Sequence, residues 1–71
     1  MEKIVNKILA EYAELGADFD NSTPFIELGG WDSLKHVRFI LDLEKELKIR
    51  MTPEQLIACT SVENTISAIK L

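Results

Sequence analysis

Seventy-one residues here include one cysteine, one histidine and one tryptophan. A single cysteine closes no internal disulfide and puts a cysteine-built zinc site out of reach. A reducing, cytoplasmic setting is therefore expected. The lone histidine has no nucleophile and orienting acid patterned around it. Once its core is built, a chain this short has little left to line a concave site. The expectation is a protein that is not an enzyme. No metal cluster and no phosphate-cradling glycine loop can be read either. Long apolar runs are also missing: MEKIVNKILAEYAEL mixes charges with apolar residues, unlike a signal peptide or a membrane span. The net charge of −4 counts against nucleic acid or an anionic membrane as main partner and favours partners with basic patches.

What remains is enough to fold. An apolar fraction of 46% is ordinary for a globular chain, so order is expected over one domain, residues 1–71, near the lower size limit. Ile4, Val5, Ile8, Leu9, Tyr12 and Leu15 recur every three or four residues, which predicts an amphipathic helix ended by Gly16. Residues 16–32 show no sustained period and read as a long loop, with Phe25, Ile26, Leu28 and Trp31 as its apolar anchors. A second helix is predicted from Ser33 to Leu47. Its apolar residues sweep roughly 220°, which marks a central helix touched on several sides. Glu44 falls inside that arc without an evident purpose. Thr52, Pro53 and Gln55 form the start of a short third helix, with a capping box and a first-position proline. Thr60 and Glu63 repeat the box spacing ahead of a last helix with Val62, Ile66 and Ile69 on one face. No segment reads as a strand, so the fold class is all-α: four helices, the third short.

The start of the second helix differs from the other two. Counting from Asp32 or from Ser33 as cap puts Lys35 or His36 at the third helical position, and neither completes a capping box. Asp32 can cap alone, which leaves the Ser33 hydroxyl without employment at the helix mouth. Lys35, His36 and Arg38 crowd the first turns, where the positive end of the helix dipole costs about 0.3–1 kcal/mol per exposed cation. A phosphodiester on Ser33 would turn that cost into a gain. The competing reading is an ordinary first-turn serine beside solubilising basic residues.

GWDSLKHVRFILDLEKELKI, following a long loop and preceding a short Pro-started helix, resembles the central segment of the acyl carrier proteins. The likeness covers nearly the whole chain, and Trp-Asp-Ser-Leu is similar to stand-alone and biosynthetic-cluster members. It implies a four-helix carrier bundle, with 4′-phosphopantetheine on Ser33, attached from coenzyme A by a phosphopantetheinyl transferase. Asp32 would fix the turn, and Leu34 would support it or meet the partner. Cargo would ride as a thioester on the arm and be presented to acyl-loading and acyl-processing enzymes. A monomer in a specialised lipid or secondary-metabolite pathway is implied. The helix after the serine is acidic in fatty-acid carriers. Here Lys35, Arg38 and Lys45 interleave with Asp42 and Glu46, so the expected docking face is Lys35, Arg38, Leu41, Asp42 and Lys45. Gly29-Gly30 faintly echoes the carriers of peptide assembly lines, which leaves an aminoacyl or peptidyl carrier as alternative. An unmodified helical interaction module is the other. Trp31 anchors the loop end or lies against the arm. His36 is incidental or touches the phosphate or a partner. Cys59 reads as a small buried hydrophobe rather than a reactive thiol. A cavity lined by Ile40, Leu43 and Ile57 would be the place for an acyl chain.

Overall fold

The computed structural model describes residues 2–70, and among these four α-helices and one 3-10 turn account for the regular structure. Helix α1 spans Glu2–Ala10, α2 Ser33–Leu47, α3 Pro53–Ala58 and α4 Val62–Lys70. The 3-10 turn, Phe25–Glu27, interrupts the long connection between α1 and α2. Helix α1 packs against α2 and α4, while α3 leans on α4. Val5, Ile8 and Leu9 of α1, Phe39, Ile40 and Leu43 of α2, and Val62 and Ala68 of α4 meet in one core. In a domain worth about 4–10 kcal/mol in total, truncating a core residue such as Phe39 costs on the order of 3–5 kcal/mol.

The apolar period of the first helix outlasts its α-helical hydrogen bonding. Helix α1 ends at Ala10 and not at the expected Gly16. The Glu11 N–H reaches the Ile8 carbonyl and the Tyr12 N–H that of Leu9, both at 3.0 Å, and a last α-type bond joins the Ala13 N–H to the Leu9 carbonyl at 3.1 Å. Tyr12 and Ala13 still face inward, so periodicity foretold contact with the core but not the bonding that delivers it.

The connection to α2 is held by its own residues. The Asp20 carboxylate accepts from the Ser22 N–H at 2.8 Å and from the Ser22 hydroxyl at 2.6 Å. Phe25 donates its N–H to the Thr60 carbonyl, and Glu63 donates to that of Asn21, both at 2.8 Å. Phe25 and Leu28 are buried and Trp31 is packed on the core, but the expected anchor Ile26 is 85% exposed. A 3-10 turn aligns residues three apart. Phe25 and Leu28 therefore share the inner face, and Ile26 is turned outward.

Two other readings change in detail. Thr52 and Gln55 do form the reciprocal capping box, with 3.1 and 2.8 Å bonds. At α4 the cap is Ser61, not Thr60: the buried Ser61 hydroxyl accepts from the Asn64 N–H at 3.1 Å. The Thr60 hydroxyl accepts from the Asn64 side-chain amide instead. Glu44, unexplained by the sequence, accepts the Met51 N–H at 2.7 Å and so ties the link after α2 back to the helix. That link begins at Lys48, in the left-handed conformation with φ 56°.

Candidate functional site at the start of helix α2

Gly30 sets the entry to α2. Its φ of +79° is in the region that L side chains disfavour, and a Cβ there would lie 3.1 Å from Lys35 Nζ. Asp32 follows in extended conformation as the N-cap, and its carboxylate accepts the Lys35 N–H at 2.8 Å. Its carbonyl accepts the His36 N–H at 3.0 Å. The first two helical amides, those of Ser33 and Leu34, lack an intrahelical acceptor, as at any helix start.

Ser33 is the first residue of α2 and is exposed. Its hydroxyl makes no hydrogen bond with any other described residue, because Asp32 has already taken the capping role. The hydroxyl is therefore accessible beside free amide donors and the positive end of a fifteen-residue helix.

An open groove of about 540 Å³ adjoins the serine, bounded by Phe25 and Ile26, the first turns of α2, and Leu56 to Thr60. Ile26 (85% exposed), Val37 (41%) and Ile57 (72%) line this groove with Ser33, and Leu34 (61%) and Leu41 (56%) are further exposed apolar side chains of α2. A contiguous apolar surface rimmed by polar groups marks a binding face. The cavity expected from sequence differs in its walls: Ile57 lines the groove, but Ile40 and Leu43 are sealed in the core.

The inner wall of the groove is aromatic. Phe25 and Trp31 lie 5.1 Å apart between ring centres, and Phe39 stands edge-on to both, at 5.3 and 5.9 Å. Trp31 is thus a loop anchor that also faces the groove. His36 adds its ring at 5.9 Å from Trp31, and its Nε2 lies 2.9 Å from the Leu56 carbonyl. A carbonyl only accepts, so Nε2 carries the proton. His36 is therefore a bridge from α2 to α3, a role its position in the motif did not announce. Cys59 is buried, with its thiol donating to the Gln55 carbonyl at 3.0 Å, and burial pushes that thiol up from its ordinary value. It is the small buried hydrophobe expected.

The residues expected on the docking face separate into two groups. At 100° per residue, Leu34, Arg38, Leu41 and Lys45 fall within about 60° of one another. Arg38, Leu41 and Lys45 are exposed. Lys35, Asp42 and Glu46 fall within about 40° of one another on the adjoining flank. Lys35 folds over Gly30, and Asp42 accepts a hydrogen bond from the Tyr12 hydroxyl. That bond, first, and desolvation, second, raise the Tyr12 hydroxyl above its usual value. Among the described residues no group of acids, histidines and cysteines is placed to hold a metal ion, and no helix is long and apolar enough to cross a membrane.

No curated protein matches the chain. The family model described as the phosphopantetheine attachment site matches residues 3–69. The local chemistry fits that prosthetic group: an accessible hydroxyl to esterify, amide donors for the phosphate, and an apolar groove beside both. The match runs from Lys3, the second residue of α1, into the last turn of α4, so the chain belongs to the phosphopantetheine-attachment family and is a non-catalytic carrier that bears 4′-phosphopantetheine covalently.

Proposed function

We propose that Ser33 is the attachment residue and that the chain is an acyl carrier protein of a specialised lipid or secondary-metabolite pathway. The observation that carries this is the exposed Ser33 hydroxyl, left unbonded because Asp32 caps the helix in its place. In the attachment step Ser33 Oγ attacks the phosphorus of coenzyme A nearest the pantetheine. The phosphoanhydride P–O bond breaks, 3′,5′-ADP leaves, and the hydroxyl proton passes to a base of the transferase. The arm supplies a thiol that holds the cargo as a thioester. The tether keeps that activated group at high effective concentration for each docked enzyme.

Within this reading the domain, residues 1–71, works as a cytoplasmic monomer. Asp32 holds the turn, and Leu34 is on the partner's side of it. Lys35, Arg38, Leu41, Asp42 and Lys45 form the docking face, with Arg38, Leu41 and Lys45 at its centre. The local charge is cationic although the chain is acidic overall. This suits acyl-handling enzymes that offer carboxylates around an apolar patch. Of the glycine pair, Gly30 is accounted for by its left-handed turn, whatever the cargo.

Incubation with a broad-specificity transferase and coenzyme A tests the proposal. Intact mass is expected to rise by one phosphopantetheine, with peptide mapping on Ser33, and Ser33→Ala is expected to stay unmodified. An unmodified wild-type chain, or an arm on another serine, overturns it.

A further inference from the structure

We infer that this carrier keeps its cargo out of the helical core: the groove beside Ser33 has a closed floor, and the cargo class it suits is a short acyl group. The inference rests on the reading of Ser33 as the attachment site.

Phe25, Trp31, His36, Leu56 and Cys59 face the groove from its inner side. Phe25 and Cys59 are almost wholly buried, and Phe39 sits directly behind Phe25 and Trp31 without exposure. Ring centres throughout this cluster are 5.1 to 6.2 Å apart, which is contact distance for edge-on and tilted aromatics. The His36–Leu56 hydrogen bond then fastens α3 to α2 across the same floor. It matters because α3 contributes no buried residue of its own. On its other side α3 is held by Gln55, whose side-chain amide donates to the Ala68 carbonyl at 3.0 Å.

An acyl chain entering the bundle would have to reach Ile40, Leu43, Leu9 and Val62, all at most 2% exposed. It would have to swing a ring out of a close-packed cluster and leave the Leu56 carbonyl without its donor. The groove itself is open to solvent, so a chain lying in it keeps one side wet. A short acyl group loses little by that, whereas each further methylene of a long one stays wet.

Acyl-coenzyme A donors of two, eight and twelve carbons, transferred whole by the same transferase, make the test. Mass on Ser33 confirms loading, and failure at this step counts against the attachment site rather than the floor. In the loaded wild-type protein the methyl NMR signals of Val5, Leu9, Leu43 and Val62 are expected to coincide for all three chain lengths. The melting temperature should rise by less than about 2 °C from the shortest to the longest. Core methyl signals that move progressively with chain length, with a rise beyond about 5 °C, overturn the closed floor. His36→Ala is expected to open the floor, so that the same core signals become sensitive to chain length. If the folded variant stays insensitive, His36 is not the fastening. If it does not fold, the wild-type series decides alone.

Discussion

Two helix starts in this small protein carry a serine, Ser61 as the cap of α4 and Ser33 as the first residue of α2, and the two are used in opposite ways. At α4 the Ser61 hydroxyl is buried and accepts the Asn64 N–H. The surrounding backbone is stitched to the long connection through Phe25 to Thr60 and Glu63 to Asn21. At α2 an aspartate does the capping, and Ser33, one position further on, is exposed and unbonded. A serine at a helix start is informative only when something else has already satisfied the helix. What separates the bonded serine from the free one is that at α2 the residue before it has taken the cap.

Exchanging the two roles gives the largest effects. Ser33→Ala should lose all arm attachment while unfolding free energy stays within about 0.5 kcal/mol of the parent. Ser61→Ala should keep attachment and lose about 1–2 kcal/mol, since a buried cap leaves its amide unpaired. Intact mass and urea denaturation read both, and a destabilised Ser33→Ala with normal Ser61→Ala would invert the comparison. Next in size, Asp32→Ala should cost about 1 kcal/mol, and Asp32→Asn clearly less, because either Asp or Asn can accept from the Lys35 amide. Arg38→Glu combined with Lys45→Glu should leave stability within about 0.5 kcal/mol. Its rate with an acidic-faced partner should fall several-fold at low salt and recover as salt screens the repulsion.

The smallest effect concerns acid. Bonds from the Ser22 hydroxyl, and next from the Ser22 N–H, hold the Asp20 carboxyl below its usual value. A carboxyl lower in the folded than in the unfolded chain contributes its stabilisation above the unfolded value, and loses it as pH falls through the folded one. Protection of the Glu63 amide from hydrogen exchange, measured relative to the intrinsic rate at each pH, should therefore fall only on strong acidification, since that amide bonds to the neighbouring Asn21. Asp20→Asn should remove that dependence.

Much of this was legible beforehand. Spacing of apolar residues located the helices, and the bounds of α2 agree with the expectation to the residue, because Asp32 and the left-handed Lys48 terminate it sharply. The expectation for α4 missed by one residue. Thr60 and Ser61 both carry hydroxyls, and only the fold decides which one is buried against the long connection. Ile26 was misread because a three-residue 3-10 turn is too short to show a period. The role of Glu44 and the His36 bridge were hidden for a different reason. Each joins a side chain to a backbone group seven or twenty residues away, and backbone groups carry no sequence signature.

By itself the sequence determined the local matters: where α2 starts and ends, which residue caps it, and that the serine behind that cap is left without a capping role. These depend on neighbours within a turn or two, where spacing and residue type carry the physics. Only the tertiary structure decided the surroundings of that serine, namely which apolar side chains ring it, that rings close the groove behind it, and that α3 is fastened by a histidine. Those follow from packing segments far apart in the chain, and their distances are fixed by the assembled core alone.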